Sequence, residues 1–404
     1  MRTRCARRLK RIHPFAALCS ILVLLLVSTG NAFAQTNLVD VGHTNNGEAN
    51  GIAVSGNYAF TANQDGGLWI YDISNPSIPV NVSSINNAGA FGTGEGVAVS
   101  GSYAFLASRD ALHIYNISNP TNPFQVGQYA GLECYSVAVS GHYAYVAADY
   151  PPLTVLDVST PSNPVRVGAT TNQGPGLGVA VLGNYAYVAA RTNAGYIYDI
   201  SNPSNIVFKS AINCLSCGLL FEGVAVSGDH AYFSGGSGLR IIDVSNPSAP
   251  IFISNSNDES ANGVAVAGNY AYLNAEYDGL RIYDVSNPAS PVLVANASDY
   301  GGGTFSGGVA VSGSYAYVAN GDDGLRIYSL GVPSPPQLSI NQTGTNTLIV
   351  SWPAPAAAFV LQQISDLATS NWVTVSNAST VVAGQNQIIL PQPAGIAFYR
   401  LKFP

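Results

Sequence analysis

Short apolar segments separated by polar turns recur along the chain, and they predict a repeated β structure. Successive copies begin 40 to 45 residues apart. A fixed period of this length indicates that each copy is one structural unit stacked against its neighbours. The phrase GIAVSGNYAF and its close variants begin at Gly51, Gly96, Ser136, Gly178, Gly223, Gly263 and Gly308.

Each copy contains four strand-like segments, named A to D here. Strand A is the run GVAV, strand B is YAYVA, strand C is GLRIY (as at 279–283), and strand D is PVLV (as at 291–294). Runs of about five residues rich in Val, Ile and Tyr and bounded by Gly, Asn, Ser or Pro are typical of strands. No apolar period of 3.6 residues persists, so the pattern does not predict helices.

The residue types also order the strands within a unit. Strand D starts at proline, which has no N–H for a ladder and therefore belongs at an outer edge or at the start of a strand. Strand A is rich in Gly and Ala and has two apolar faces, as expected for an inner strand covered by neighbours on both sides. The pattern therefore predicts an all-β, seven-bladed β-propeller with four-stranded antiparallel blades.

The two ends of the repeat region predict how the ring closes. The seventh copy ends at GLRIYSLGVPSPP without a strand D. Near the start of the chain, residues 38–44 read LVDVGHT and match strand D of the third copy, PVRVGAT at 164–170. We therefore expect this N-terminal strand to complete the last blade and to bury Val39 and Val41.

A turn of sequence Asp-Ile/Val-Ser-Asn-Pro joins strands C and D in most copies, as at 284–288. Proline fixes its own φ and keeps the preceding residue extended. Ser and Asn can bond to nearby backbone groups and cap the reversal. The motif therefore predicts a rigid, self-capped turn.

The unit GVAVSGxYAYVA followed by LRIYDVSNPxxPVLV resembles the LVIVD-repeat family of secreted and cell-surface bacterial and archaeal proteins. The resemblance extends over about residues 37–330 and recurs in all seven copies. It implies a β-propeller outside the cell. It implies no reaction and supplies no catalytic residues.

Regions outside the repeat predict further parts. Residues 1–34 combine a basic start, a short apolar run and an Ala-Phe-Ala cleavage site, which is typical of a secretory signal peptide. Residues 35–330 form the propeller and the proline-rich 331–336 is a linker. Residues 337–404 predict a small β-sandwich that is similar to fibronectin III or immunoglobulin-like modules, with Trp352, Trp372 and Tyr399 in its core. Such a tail acts as an attachment module or as a passive spacer.

Charge excludes some partners. The chain has 15 basic and 22 acidic residues, and without the predicted leader nine basic residues remain, which gives a net charge of −13. Nucleic-acid binding needs clustered Lys and Arg, and the sequence has no such cluster. We therefore expect no nucleic-acid partner and no binding to an anionic membrane surface. Once the predicted leader is cleaved, we also expect no membrane span.

The most variable surface lies where the D–A and B–C loops meet. The residues just before each strand A should form a ring at the mouth of the central channel, and we call them the mouth ring: Asn50, Glu95, Tyr135, Leu177, Glu222, Asn262 and Gly307. We predict ligand binding at Asn50, Glu95, Tyr135, Glu222 and Asn262.

Two kinds of acidic group in this surface have more than one interpretation. Glu95 and Glu222 are three copies apart and could serve acid–base chemistry or a cation, or they could be solvated loop carboxylates. Asp322 and Asp323 are weak calcium candidates, but Asp-Gly is first a turn signal. The sequence assigns no catalytic residue, no metal and no cofactor.

The cysteines predict neither a zinc site nor a redox site. Beyond the leader the chain keeps Cys134, Cys214 and Cys217. The CLSC spacing lacks both the second pair that a zinc site needs and the helix that usually follows a redox CxxC. A local disulfide or free thiols are expected.

The function that these patterns predict is a secreted or cell-surface, non-enzymatic binding scaffold. Its propeller loops would face an extracellular protein or glycan. The alternative is an extracellular glycan-acting lyase or hydrolase with its site on the same face. The sequence does not define the oligomeric state.

Overall fold

The structure, a computed structural model, describes residues 38–404 apart from short stretches. Those outside the description are 45–46, 65–66, 87–93, 172–173, 192–193, 214–220, 259, 276–278, 298–306, 331–337, 344–346, 354–359, 366–371, 383–384, 392–396 and 403–404. The predicted signal peptide, the linker 331–336, Cys214 and Cys217 lie outside the described residues.

Thirty-five strands are present in the described residues. The first closing strand and blades 1 to 3 comprise β1 (Val39–His43), β2 (Ala49–Ser55), β3 (Tyr58–Asn63), β4 (Gly67–Asp72), β5 (Val80–Asn86), β6 (Gly94–Ser100), β7 (Tyr103–Ser108), β8 (Ala111–Asn116), β9 (Phe124–Ala130), β10 (Cys134–Ser140), β11 (Tyr143–Ala148), β12 (Leu153–Asp157) and β13 (Val165–Ala169). Blades 4 to 7 comprise β14 (Gly176–Leu182), β15 (Tyr185–Ala190), β16 (Ala194–Asp199), β17 (Val207–Asn213), β18 (Phe221–Ser227), β19 (His230–Gly235), β20 (Gly238–Asp243), β21 (Ile251–Asn255), β22 (Ala261–Ala267), β23 (Tyr270–Ala275), β24 (Gly279–Asp284), β25 (Val292–Asn296), β26 (Val309–Ser312), β27 (Tyr315–Ala319) and β28 (Leu325–Ser329).

These strands form seven four-stranded antiparallel sheets, so the predicted propeller is confirmed. In blades 1 to 6 the order is A-B-C-D along the chain, for example β2-β3-β4-β5. In blade 7 the order is β26-β27-β28-β1, and β1 runs antiparallel to β28. The N-terminal strand therefore closes the ring, as the sequence predicted.

One detail of the closing strand differs from the prediction. Val39 lies opposite Ser329 on the outer edge and is 58% exposed, whereas Val41 is partly buried against the core between blades 7 and 1. An edge strand has a neighbour on one side only, and the Val39 side chain faces solvent. The expectation that both valines are buried was wrong for Val39.

Apolar packing holds the blades together pairwise. Seven clusters of buried residues each combine side chains from two consecutive blades, and the last combines blade 7 with blade 1. Between blades 1 and 2, for example, Phe60 and Ile70 pack with Leu106 and Tyr115. Each sheet is therefore covered on both faces, which explains why strands A and B alternate between two kinds of apolar residue rather than between apolar and polar.

The Asp-Val-Ser-Asn-Pro turn is capped by its own side chains. In blade 5 the Asp243 carboxylate accepts a hydrogen bond from the Ser245 backbone N–H at 2.8 Å, and the Asn246 side-chain oxygen accepts one from the Ser248 N–H at 3.2 Å. Equivalent bonds recur in the other blades that carry the motif. The prediction of a self-capped turn is therefore confirmed, and the aspartate contributes to the cap as well.

The same turn also joins blades. In blades 4 and 5 a strand-D serine donates a hydrogen bond to the proline carbonyl of the next blade: Ser210 to Pro247 at 2.7 Å, and Ser254 to Pro288 at 2.5 Å. Gly168 lies so close to the Pro203 carbonyl that any side chain would collide with it. A small residue in strand D is therefore required where the neighbouring turn makes contact.

The C-terminal region forms two further sheets. They comprise β29 (Ser339–Gln342), β30 (Thr347–Pro353), β31 (Val360–Ile364), β32 (Val373–Thr374), β33 (Thr380–Val382), β34 (Gln385–Pro391) and β35 (Phe398–Lys402). The sheet orders are β29-β30-β34-β33 and β32-β31-β35.

The two sheets share one core that includes Trp352 and Tyr399, as expected for a small β-sandwich. Trp372 is only partly buried, and its ring stacks on the guanidinium of Arg400 at 4.2 Å, so the prediction of a third core aromatic was wrong. Membership of the immunoglobulin or fibronectin III class remains a prediction.

The chain divides into two compact units, the propeller at Ala34–Leu330 and a second unit that contains the C-terminal strands. Within the described residues no helix has the length and apolar character needed to span a bilayer.

Candidate functional site

The mouth ring lies on the innermost strands. Six of its seven residues belong to strand A itself rather than to the loop before it, because each of these strands begins two residues earlier than the sequence indicated. These six are Asn50, Glu95, Tyr135, Leu177, Glu222 and Asn262. Gly307 precedes β26.

A β-bulge marks each of these six positions. The register with strand B shifts between Gly94 and Gly96, so Glu95 is the extra residue, and the other five blades shift at the equivalent place. A bulged residue leaves the ladder, and its side chain is re-aimed relative to the regular alternation. The fold therefore presents one chemically variable residue in each of blades 1 to 6, at the same end of strand A.

The glycine after the bulge lets neighbouring inner strands approach one another. A Cβ atom on Gly51 would lie 2.7 Å from both the Glu95 carbonyl oxygen and the Gly96 Cα atom of the next blade. A Cβ on Gly178 would lie 2.9 Å from the Glu222 carbonyl oxygen. Backbone thus packs on backbone around the ring, and the bulged residues are held by a rigid frame.

Glu95 forms the best-defined polar contact of the mouth ring. The Arg109 Nε donates a hydrogen bond to Glu95 Oε1 at 2.6 Å, and half of the arginine side chain is exposed while the glutamate side chain is 17% exposed. This bond raises the pKa of the Arg109 guanidinium further above its usual value. A guanidinium has five N–H donors, and this bond uses the one on Nε.

Tyr135 and Glu133 extend this cluster into blade 3. The Arg109 guanidinium lies 5.9 Å from the Tyr135 ring centroid, and the Tyr135 hydroxyl donates to Glu133 Oε1 at 3.2 Å. Burial raises the pKa of Tyr135, and the negative charges of Glu133 and Asp149 raise it further. We call Glu95, Arg109, Glu133 and Tyr135 the Arg109 cluster. It combines an exposed cationic fork, an aromatic ring and carboxylates.

Other predicted site residues have different surroundings. The Asn50 side-chain amide donates to the Gly94 carbonyl at 3.0 Å, and its backbone carbonyl accepts from the Gly308 N–H at 2.6 Å, so Asn50 ties blade 1 to both neighbours. Glu222 and Asn262 lie partly buried on the inner strands of blades 5 and 6. Glu95 and Glu222 are separated by blades 3 and 4, and Glu95 pairs with Arg109.

The calcium candidates are placed in a turn of blade 7. Asp322 is exposed, and the Asp323 carboxylate accepts hydrogen bonds from Arg326 at 3.0 Å and from the Asn320 side chain at 3.3 Å. The guanidinium charge next to Asp323 would repel a cation. Among the described residues no group of three or more His, Cys, Asp or Glu side chains is arranged to hold a metal ion.

Cys134 is a free, fully buried thiol. Its Sγ donates to the Leu132 carbonyl at 3.2 Å, and burial raises its pKa to about 12. A thiol with such a pKa carries almost no thiolate at neutral pH, so it is a poor nucleophile and a poor metal ligand. Its role is packing between blades 2 and 3.

Sequence reasoning missed Arg109 and Glu133. Arg109 directly follows strand B of blade 2, and Gly94 pairs with Ser108, so Glu95 and Arg109 lie side by side only because the A–B ladder extends two residues further than the repeat phrase. The signal in the sequence was the residue that follows YAFLAS, because this position varies between copies while the phrase before it is nearly constant.

Comparison with solved structures defines the class of protein as a β-propeller. The β-propeller domain of Myceliophteria thermophila Cps50 (Swd1) is similar to this chain with a TM-score of 0.59 and 13% identity over 72% of this chain and 99% of that one. The computationally designed Ika8 protein is similar with a TM-score of 0.53 and 8% identity over the same shares of the two chains. At such low identity these likenesses concern the fold alone.

The repeat defines the family more narrowly. The LVIVD repeat model matches residues 46–87, 92–131, 133–171, 174–214, 222–258, 259–299 and 304–342, which is more than half of the chain. The chain belongs to the LVIVD repeat family. No curated protein matches it significantly.

Proposed function

We propose that the chain is a secreted or cell-surface, non-enzymatic binding scaffold whose surface around the mouth ring holds an extracellular protein or glycan. The observation that carries this proposal is the Arg109 cluster, in which a half-exposed arginine is fixed by Glu95 at 2.6 Å beside a partly buried tyrosine. Arginine and tyrosine are enriched at the energetic centres of binding surfaces, because they combine apolar area with directional hydrogen bonds.

A binding function is supported by the difference between the nearly constant propeller framework and the variable residues of the mouth ring. The glycines, the turns and the inter-blade cores repeat almost unchanged, whereas the bulged position carries Asn, Glu, Tyr, Leu, Glu and Asn in blades 1 to 6. Residues held on rigid strands by a close-packed frame keep their positions when a ligand arrives, so less conformational entropy is lost on binding.

The contacts of Glu95 favour binding over acid–base catalysis. A glycosidase uses two carboxyl groups that flank the scissile bond. Here Glu95 accepts a short hydrogen bond from Arg109 and thereby orients the arginine. The secreted location rests on the basic and apolar leader, and purification of chain that starts at Gln35 from the culture medium would test it.

A matched pair of arginines provides the binding test. Arg109 follows strand B in blade 2 and Arg191 follows strand B in blade 4, where Leu177 replaces the glutamate. Wild-type chain is screened on arrays of glycans and of immobilised extracellular proteins. We expect Arg109→Met to weaken the captured ligand about tenfold or more, as loss of hydrogen bonds to a charged group implies, and Arg191→Met to leave the affinity unchanged.

A parallel screen with chromogenic glycan substrates tests the alternative. We expect no turnover. Turnover that Glu95→Gln or Glu222→Gln abolishes would contradict the proposal and establish the glycan-acting enzyme. Equal affinities for wild type and Arg109→Met would show that the Arg109 cluster is not the binding site.

A further inference from the structure

One position of strand C carries very different residues around the ring. It is the residue before the central isoleucine or valine of the strand. The seven residues are Trp69, His113, Thr154, Tyr196, Arg240, Arg281 and Arg326. Blades 5, 6 and 7 therefore place an arginine at the same point of three consecutive blades.

Two of these arginines have carboxylate partners from this chain. The Arg326 guanidinium contacts Asp40 at 3.2 Å and Asp323 at 3.0 Å, and its side chain is 14% exposed. The Arg281 guanidinium lies 3.9 Å from Asp258, and its side chain is 12% exposed. The position is thus one where the fold pairs a guanidinium with a carboxylate.

Arg240 is the exception. It is completely buried, and its Nε and both terminal nitrogens have no hydrogen-bond partner within the described part of the chain. Its guanidinium lies 4.8 Å from the centre of the Phe221 ring, next to the apolar core between blades 4 and 5. Burial lowers its pKa, yet an arginine stays protonated at neutral pH.

An unpaired buried charge is strongly unfavourable, because desolvation is not offset by a counter-charge. In blade 6 the counter-charge comes from Asp258, in the connection that enters the blade. The corresponding connection into blade 5, residues 214–220, reads CLSCGLL and contains no acidic residue. The sequence of this segment therefore offers Arg240 no carboxylate of the kind that Asp258 provides to Arg281.

We propose that Arg240 binds a small carboxylate anion of the size of formate or acetate, or the terminal carboxylate group of a larger molecule, between blades 4 and 5. A planar guanidinium matches a carboxylate through two parallel N–H···O bonds. The Phe221 ring lies 4.8 Å from the guanidinium carbon, so the ring takes none of the guanidinium N–H donors as a hydrogen-bond acceptor in the plane of the fork. The carboxylate takes the place that Asp258 has in blade 6.

Thermal unfolding of the purified full chain tests the proposal. Sodium isethionate, whose anion is a bulky sulfonate, is replaced stepwise by sodium acetate or sodium formate at constant ionic strength. For wild type we expect the Tm to rise by roughly 2 °C for each tenfold increase in acetate above its Kd. Arg240→Met should lose the rise, whereas Arg281→Met should retain it because its carboxylate partner is part of the chain.

Two further variants keep the result interpretable. Arg240→Lys keeps the charge but lacks the fork, so it should lose most of the rise even if Arg240→Met does not fold. A wild-type Tm that acetate and formate leave unchanged would overturn the proposal, as would an equal rise in wild type and Arg240→Lys. A rise with sodium chloride and none with acetate would replace the carboxylate by a monatomic anion and also overturn it.

Discussion

Blade 7 and the six blades before it reach the same four-stranded form by different routes. Blades 1 to 6 are each one continuous piece of chain, while blade 7 combines β26 to β28 with a strand from near the N-terminus. Its strand A has four residues instead of seven, and its register with strand B shows no shift. It also lacks the Ser-Asn-Pro turn.

Other contacts hold blade 7 to blade 1, and we call the junction of these two blades the seam. Ala49 and Gly321 exchange two backbone hydrogen bonds of 3.0 Å, which join blades 1 and 7 directly. Gly42 of β1 lies against the Pro76 carbonyl in the turn of blade 1, so the closing strand makes the same contact as strand D in other blades. Closure of a repeat ring therefore requires the inter-blade contacts to be preserved and allows the contacts within the blade to change.

Removal of the closing strand should cause the largest loss of stability among the changes that test this comparison. Deleting residues 35–44 removes the β1–β28 ladder, the Thr44 bonds to Leu325 and the Asp40 ion pair with Arg326. At about 0.5–1.5 kcal/mol for each hydrogen bond, the propeller should lose several kcal/mol. Deleting the chain after Pro336 should leave the propeller transition unchanged, because those strands have their own core.

The measurement is the urea midpoint of the propeller transition for wild type and for both deletions. The shorter deletion should have the larger effect. Equal midpoints for wild type and the chain without residues 35–44 would show that β1 does not hold the ring closed.

The inner ring provides a second comparison of the two kinds of blade. Gly51→Ala places a Cβ 2.7 Å from backbone atoms of blade 2, and overpacking of this kind costs about 1–3 kcal/mol. At the seam, Gly308→Ala places a Cβ 3.1 Å from the Ile52 nitrogen, so the loss should be smaller. Chemical denaturation of the two variants shows which one loses more free energy of unfolding. A larger loss for Gly308→Ala would mean that the seam is the more tightly packed interface.

Arginine substitutions compare the seam with a regular interface. Arg326→Met removes contacts to Asp40 of the closing strand and to Asp323, and we expect a loss of about 1–2 kcal/mol. Arg281→Met removes a 3.9 Å contact to Asp258, and we expect about 0.5 kcal/mol. A double variant that combines Asp40→Asn with Arg326→Met should lose less than the sum of the two single losses if the ion pair is coupled to closure.

The smallest expected effect is acid sensitivity of the turns in blades 1, 3, 4 and 5, whereas blade 7 has no such turn. Hydrogen bonds from the following serine hold the pKa of Asp72, Asp157, Asp199 and Asp243 below the usual value. Their contribution is therefore present above the unfolded pKa of about 3.9 and is lost as the pH falls through the lower folded values.

Stability measured from pH 5 to pH 2 in urea should decrease accordingly. Asp243→Asn keeps the acceptor, as Asn116 does naturally in blade 2, where it accepts from the Ser118 N–H at 2.9 Å. This variant should show a smaller decrease than wild type. An identical pH profile would mean that the turn carboxylates do not titrate with unfolding.

The candidate site was only partly predictable. The repeat phrase identified residues that lie at equivalent points of strand A in blades 1 to 6, because a fixed period places equivalent residues at equivalent points of each blade. It gave the wrong local structure, because strand A begins two residues before GVAV and includes a bulge that no residue type predicts. Val39 shows the same limit, because its strand type was readable while its exposure depends on which side of the blade has a neighbour.

The sequence by itself determined the number of blades, the strand order and the closing strand, because period, proline position and β-branched alternation are local properties of the chain. Only the tertiary structure decided which side chains meet across blades. The serine bonds to proline carbonyls and the isolation of Arg240 depend on distances between the backbones of neighbouring blades, which approach closely at glycines around the ring. Such distances result from packing of all seven blades together, and no single repeat encodes them.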